Sequence, residues 1–88
     1  MWYTYILLCS DNSLYTGYSD NPKQRLLEHN TKRGAKFTKY IPDFKIVFLE
    51  QYDSLTQARK REIQIKNWRR DKKEVLIDRY SKNLPTKS

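Results

Sequence analysis

Three side chains capable of phosphate and proton chemistry lie within residues 14–29. Tyr15 supplies a phenol, while Arg25 and His29 are four residues apart, a spacing that places both on one face of a helix. A guanidinium binds phosphate oxygens in a bidentate manner, and phenol and imidazole groups can transfer protons. Alone, the stretch supports only a surface cluster. To form a site, it needs from the rest of the chain a carboxylate that can hold a metal and a surface that can hold a polyanion.

A β-hairpin is predicted over residues 2–18, and its second strand carries Tyr15. Residues 2–9 are aromatic and aliphatic, residues 10–13 are typical of a turn, and residues 14–18 read as the returning strand. Because side chains alternate along a strand, Tyr15 can share a face with Tyr5 only if the loop has an odd number of residues. A three-residue loop over residues 11–13, with a left-handed asparagine at its centre, meets this condition.

The first helix is predicted to begin at Pro22, with Asn21 or Asp20 as its N-cap. It should present Leu26 and Leu27 to the core, which leaves Arg25 and His29 on its flank.

A third strand and two further helices are predicted downstream. Residues 44–52 read as a strand, and the unbroken apolar run 46–49 indicates burial on both faces and hence a central position. Ser54 begins a capping-box pattern for a helix that continues to about Trp68, and residues 71–80 form the last helix. The side chains predicted to face the core from these helices are Leu55, Ala58, Ile65, Val75, Leu76 and Tyr80.

These elements predict an α/β (α+β) domain over residues 1–80, with a small three-stranded, mainly antiparallel sheet flanked by about three helices. Residues 81–88 are predicted to be a loose tail. A chain of 88 residues has room for one small domain. The default expectation for its oligomeric state is a monomer.

The composition favours a polyanionic partner in the cytoplasm. Eighteen Lys and Arg against ten Asp and Glu give a formal charge of +8, which attracts nucleic acid. No apolar run approaches the roughly 20 residues of a membrane-spanning helix, and the N-terminus lacks signal-peptide features. Cys9 is the single cysteine and His29 the single histidine, which excludes an internal disulfide and a Cys/His zinc site. Cys9 is expected to be a small buried hydrophobe.

Glu62 falls within the apolar stripe of the second helix. Burying a carboxylate costs several kcal/mol unless a cation, an arginine or a metal pairs with it. A structural ion pair with Arg59, Lys66 or Arg25 would satisfy the same requirement.

Two basic segments are candidate nucleic-acid contacts. The loop over residues 34–40 interleaves cations with aromatic rings, as single-strand contacts do. A second basic run follows Trp68, whose ring could stack on a base or pack in the core. The predicted nucleic-acid-binding residues are Lys36, Lys39, Lys66, Arg69, Arg70, Lys72 and Lys73.

Taken in order, these residues resemble the GIY-YIG nuclease domain. Its second motif matches Tyr15-Thr16-Gly17, its helix arginine matches Arg25 and its later glutamate matches Glu62. The first motif keeps the tyrosine as Tyr5 but lacks its glycine. The likeness is closest to small stand-alone bacterial members and covers residues 3 to about 77. It extends to Slx-type structure-specific nucleases, which place a histidine where His29 stands.

The resemblance implies hydrolysis of a phosphodiester in DNA, with RNA as a further possible substrate, by one Mg²⁺ or Mn²⁺ held by Glu62. It implies that Arg25 contacts the scissile phosphate, that Tyr5 and Tyr15 work near the attacking water and that His29 assists. The resemblance makes a tyrosine the expected base. A phenol has an ordinary pKa near 10 and needs a nearby cation to act as a base at neutral pH, whereas the pKa of an imidazole is near 6.5 without any such help. The alternative is a DNA- or RNA-binding or interaction module that keeps the fold without catalysis.

Overall fold

A three-stranded antiparallel sheet lies between helices on its two faces, which confirms the predicted fold class. The computed structural model describes residues 1–34 and 44–87, without the side chains of His29 and residues 31–34. In chain order the elements are β1 (Trp2–Cys9), β2 (Leu14–Ser19), α1 (Pro22–Gly34), β3 (Phe44–Tyr52), α2 (Leu55–Lys66) and α3 (Arg70–Ser81).

The β1–β2 hairpin has the predicted odd loop, but one residue earlier than predicted. The Cys9 amide donates to the Ser13 carbonyl at 2.9 Å, so the loop is formed by residues 10–12. Asn12 takes the left-handed conformation with φ 74°. The Asp11 carboxylate accepts from both the amide and the hydroxyl of Ser13, which tightens the turn.

The position of this loop sets the register of the hairpin. Tyr15 lies opposite Leu7, and Gly17 lies opposite Tyr5. A loop over residues 11–13 would shift the pairing by two residues and place Tyr15 opposite Cys9. Tyr5 and Tyr15 lie on the same face of the sheet in either register, because a shift by two residues does not change which side chains alternate to that face.

The prediction that the third strand is central is wrong, because the strand order is β2-β1-β3 and β1 lies in the middle. A β-bulge explains the misleading apolar run in β3. Ile6 pairs with Phe48 and Leu7 pairs with Ile46, so Val47 is the extra residue. The bulge interrupts the alternation of β3, and helices cover both faces of this edge strand.

The core consists of two clusters, one on each face of the sheet. The α1 side contains Tyr5, Leu7, Cys9 and Phe44, with Leu26, Ile46 and Leu49 packed against them. The side of α2 and α3 contains Ile6, Phe48, Ile65 and Leu76, with Leu14, Val47, Trp68 and Ile77 packed against them. Cys9 is a free, buried thiol, as predicted.

Three apolar side chains that were predicted to face the core are exposed instead. Leu27 is 60% exposed, Val75 59% and Leu55 40%. Each helix buries only a narrow stripe of side chains against a small sheet. Leu26 therefore takes the inward position beside the exposed Leu27, and Leu76 takes it beside the exposed Val75. Tyr80 is 37% exposed but packs edge-on against Phe48.

The helix starts follow the predicted capping chemistry in two of three cases. The Asn21 side chain accepts from the Gln24 amide, and the Ser54 hydroxyl accepts from the Gln57 amide. The third helix starts at Arg70, one residue before its predicted start, after an Arg69 N-cap that makes no side-chain capping bond. The second ends at Lys66 rather than at Trp68.

A buried ion pair connects α2 to β3. Arg61 Nε donates to Glu50 Oε1 at 2.9 Å, and the Tyr52 hydroxyl donates to the same oxygen. Arg61 also donates to the Thr86 carbonyl, and Lys87 donates to the Gln51 carbonyl, so the segment after α3 contacts this network. Within residues 1–34 and 44–87, no helix has the length and apolar character needed to cross a bilayer.

Candidate active site

A cleft of about 560 Å³ opens beside the edge strand β2, between α1 and α2. This size lies within the range of about 300–1,000 Å³ typical of ligand sites. Four of the predicted catalytic residues line it: Tyr5, Tyr15, Arg25 and Glu62. The other lining residues are Trp2, Gly17, Tyr18, Ser19, Asp20, Asn21, Gln24, Glu28 and Leu55.

Tyr5 forms the floor of the cleft and depends on Gly17 for its position. Tyr5 is 2% exposed, and its ring lies directly over Gly17 of the neighbouring strand. A Cβ atom added at Gly17 would lie 2.6 Å from the Tyr5 hydroxyl oxygen and 2.7 Å from Cζ. The glycine of the Tyr-x-Gly motif therefore leaves the space that the phenol of the facing tyrosine occupies.

Replacing Gly17 with alanine should displace the Tyr5 ring, because the new methyl group and the phenol cannot both keep their positions at distances below 3.0 Å. We expect a loss of about 1–3 kcal/mol in the free energy of unfolding. A double-mutant cycle with Tyr5→Ala, followed by urea denaturation, measures the coupling. The two losses should be less than additive, and additive losses would show that Tyr5 is not what Gly17 accommodates.

Burial raises the pKa of the Tyr5 phenol above its ordinary value. The neighbouring Tyr15 raises it further, the Arg25 guanidinium lowers it, and the carboxylates of Glu62 and Glu28 raise it because their negative charges oppose a phenolate. The net direction is upward. Tyr5 consequently remains protonated at neutral pH and can donate a hydrogen bond into the cleft.

This raised pKa makes the stability of the fold sensitive to alkaline pH. The unfolded chain releases the Tyr5 proton near pH 10, while the folded state retains it. The stabilisation is therefore complete below pH 10 and is lost as the pH rises through the folded pKa. We expect Tyr5→Phe to lose less stability than the unaltered chain above pH 10, by up to about 1.4 kcal/mol per pH unit. Urea denaturation between pH 8 and 11 measures this, and parallel curves for the two proteins would contradict it.

Arg25 and Tyr15 lie in the solvent-accessible part of the cleft. The Arg25 side chain is 55% exposed and its Nη1 atom is 3.7 Å from Glu28 Oε1, a loose ion pair one helical turn away. Tyr15 is 44% exposed. Both groups are accessible to a ligand that enters from solvent.

Glu62 is the buried carboxylate of the cleft, with 7% exposure. Ala58 and Ile65 are the other buried residues of α2, so Glu62 lies on the inward stripe, as its spacing indicates. Its Oε2 atom is 3.0 Å from Lys66 Nζ, one of the three pairings that the sequence allows. The preceding residue, Arg61, is fixed by Glu50 on β3, and this contact helps to set the rotation of α2 that points Glu62 into the cleft.

The donor set of the cleft suits a hard, hydrated cation. No group of three or more His, Cys, Asp or Glu side chains able to hold a metal occurs among the described residues. Glu62 is the buried carboxylate of a cleft that Asp20 and Glu28 also line. Such a donor set fits Mg²⁺, which keeps several of its waters and needs one or two protein carboxylates. Glu62 is the residue that would hold this ion.

The predicted basic residues that the structure describes lie on α2 and α3. Lys66 borders the cleft through Glu62, and Glu62 raises the pKa of the Lys66 ammonium. Arg70 donates to the Asn12 side chain at the tip of the β1–β2 loop and pairs with Glu74. The remaining members are Arg69 and Lys72, both exposed, and Lys73, which is partly buried.

Some predicted site residues lie outside the described part of the chain. These are Lys36 and Lys39, which sequence analysis assigns to a loop over residues 34–40, together with the His29 side chain, whose backbone lies in α1. Other lining residues were missed by sequence reasoning. Glu28 could have been found from its i+3 spacing to Arg25, whereas Trp2 and Tyr18 give no signal until the strand register is known.

The fold and the cleft together define a small α/β domain in which a buried carboxylate, an arginine and two tyrosines line one cleft. A family model described as the GIY-YIG catalytic domain matches residues 1–75. The chain therefore belongs to the GIY-YIG nuclease family, as its motifs predict.

The chain is also similar over most of its length to other proteins and to solved structures. The chain is 53% identical over 76 residues to a UPF0213 protein of Syntrophus aciditrophicus, covering 85% of this chain and 87% of the relative. It is 44% identical over 75 residues to a UPF0213 protein of Staphylococcus saprophyticus, covering 85% and 92%. The solution NMR structure of an E. faecalis protein matches with a TM-score of 0.62 at 34% identity, covering 90% and 84%. That of a UPF0213 protein from Bacillus halodurans matches with a TM-score of 0.57 at 37% identity, covering 89% and 84%.

Proposed function

We propose that the protein is a divalent-metal-dependent endonuclease that hydrolyses phosphodiester bonds in DNA. The observation that carries this proposal is the meeting of Tyr5, Tyr15, Arg25 and Glu62 in one cleft. A module that only binds DNA gains nothing from a buried carboxylate there, because the carboxylate repels phosphate. The basic surface and the charge of +8 supply attraction for DNA, and we place the activity in the cytoplasm.

Each residue has a distinct role in the proposed reaction. Arg25 binds the scissile phosphate and stabilises the charge that develops on its oxygens. Tyr5, protonated and held over Gly17, donates a hydrogen bond to an oxygen of the reacting group. We assign deprotonation of the attacking water to the phenolate form of Tyr15, whose own proton passes first to solvent, because it is the tyrosine that solvent reaches. His29, on the same helix as Arg25, assists.

Glu62 would hold one Mg²⁺ or Mn²⁺ in this proposal, in place of its contact with Lys66. When bound, such an ion supplies Lewis-acid stabilisation of the phosphoryl oxygens and lowers the pKa of water. The Lys66 ammonium would then be available to a neighbouring phosphate.

A second candidate is a DNA- or RNA-binding module without catalysis. The Glu62–Lys66 contact favours it, because an ion pair at 3.0 Å satisfies the buried carboxylate without a metal.

Incubation with supercoiled plasmid DNA and with a branched oligonucleotide duplex separates the two candidates. The nuclease proposal predicts nicked product in Mg²⁺ or Mn²⁺ and none in EDTA, with DNA binding that weakens steeply with salt. Absence of cleavage in both metals, alongside measurable binding, would assign the protein to the non-catalytic class.

A further inference from the structure

Two aromatic rings line the active-site cleft without a role in the proposed chemistry. Trp2 begins β1 and Tyr18 lies near the end of β2, and both side chains are partly buried. Their ring centroids are 6.4 Å apart with an interplanar angle of 44°, within the range of rings in mutual contact. Leu55, 40% exposed, also lines the cleft. The rings of Trp2 and Tyr18 form a surface that we call the Trp2–Tyr18 platform, which offers flat apolar area in a cleft that also contains one arginine and three acidic side chains.

The other tryptophan is occupied in a different way. Trp68 packs against the core cluster beneath α2 and α3. Lys72 Nζ lies 4.3 Å from the centroid of its ring and the Arg61 guanidinium carbon lies 5.2 Å from it, so cations cover the ring. Trp68 is therefore not a stacking surface, which decides between the two roles that the sequence leaves open.

We propose that the Trp2–Tyr18 platform stacks the base of an unpaired DNA nucleotide next to the phosphate bound at Arg25. The proposal rests on the nuclease function and names its substrate class. A nucleic acid alternates anionic phosphates with flat apolar bases, and this cleft places the Arg25 cation and an aromatic wall within one cavity of about 560 Å³. Base–aromatic stacking is sequence-tolerant, because every base offers a π-face.

The substrate preference follows from geometry. Bases inside a duplex are covered by their neighbours on both faces, so a base must leave the stack before it can reach an aromatic side chain. Single strands, flaps and frayed junctions offer such bases without the cost of unstacking. The protein should accordingly cleave at unpaired nucleotides in preference to continuous duplex.

Fluorescence tests the platform without any need for cleavage. Because the chain has two tryptophans, Trp68→Phe leaves Trp2 as the only indole, and Trp2→Phe is the matched control that leaves Trp68. Each variant is titrated in EDTA with a single-stranded thymidine oligonucleotide and with an abasic phosphodiester oligomer of equal length. We expect the thymidine oligonucleotide to quench the fluorescence of Trp2 and the abasic oligomer not to quench it. The two ligands should affect the fluorescence of Trp68 equally. Equal quenching by the abasic oligomer, or no quenching of Trp2, would overturn the proposal.

Affinity and cleavage provide the second readout. Trp2→Ala should weaken binding of the oligonucleotide by about 5- to 150-fold, the range for loss of one stacked base, with no change for the abasic oligomer. Tyr80→Leu, which removes an aromatic ring outside the cleft, should leave the ratio between the two oligomers unchanged.

The two proposals fail in different ways. The unaltered chain should cut a flap substrate with an abasic residue beside the cleaved bond more slowly than the intact flap. The Trp2→Ala protein should cut the two flaps at equal rates. Cleavage that is indifferent to the base would overturn the platform and leave the nuclease standing. Base-dependent quenching of Trp2 without cleavage of any DNA would overturn the nuclease and leave the platform standing.

Discussion

Replacing Glu62 with glutamine should lower the rate of DNA cleavage by at least about 10³-fold, because the proposed metal ligand, expected to contribute several kcal/mol to the transition state, is lost. Glutamine has nearly the same shape, so the buried position on α2 stays filled. The change also releases Lys66 from its 3.0 Å ion pair. DNA affinity should therefore be retained or increased while cleavage is lost. Initial rates on nicked-plasmid gels, with binding measured in parallel by fluorescence anisotropy, give both quantities.

Glu74→Gln is the matched control for this prediction. Glu74 lies on α3, its side chain is 58% exposed and it is likewise paired with a cation, Arg70. Its replacement changes the net charge by the same amount outside the cleft and should leave the cleavage rate near that of the unaltered chain. A Glu62→Gln protein that cleaves as fast as Glu74→Gln would remove Glu62 from the site.

Replacing Arg25 with lysine should lower the cleavage rate at saturating DNA by about 10²-fold or more, the usual cost of losing one donor to a developing oxyanion. Lysine preserves the charge but not the planar pair of donors that binds two phosphate oxygens at once. The side chain is 55% exposed and its contact with Glu28 is long, so the fold should be little affected. Steady-state kinetics separate the loss in kcat from any change in KM.

Arg59→Lys is the control, because Arg59 is an exposed arginine of α2 that does not line the cleft. It should leave kcat unchanged. If Arg25→Lys raises KM alone, and low salt restores the full rate, Arg25 contributes to DNA binding and not to stabilisation of the transition state.

The sequence predicts the elements of this fold better than their arrangement. Strand and helix positions follow from local patterns and caps, such as the Asn21 bond to the Gln24 amide. The order of the strands does not, because a bulge at Val47 makes the edge strand β3 resemble a central one. Helix faces are likewise set by tertiary packing, which buries Leu26 and exposes Leu27 although both are equally apolar.

Part of the candidate site can likewise be predicted from the sequence, and part depends on the tertiary arrangement. The types and spacing of Tyr15, Arg25 and Glu62 can be read from the chain, and the odd hairpin loop brings Tyr5 to their side. The Trp2–Tyr18 platform cannot be predicted, because its two members meet only through the register of paired strands. The Glu50–Arg61 contact that helps to set the rotation of α2 is also invisible, since it joins positions on separate elements.

The position of a bound divalent ion is the most direct test of the claim that Glu62 holds a metal inside this cleft. Paramagnetic broadening of the amide NMR signals by substoichiometric Mn²⁺ locates that position residue by residue. The proposed site predicts the strongest broadening around Glu62 and Gly17, and its disappearance in Glu62→Gln. Broadening centred on the exposed carboxylates of α3, or broadening near the cleft that persists in Glu62→Gln, would contradict it.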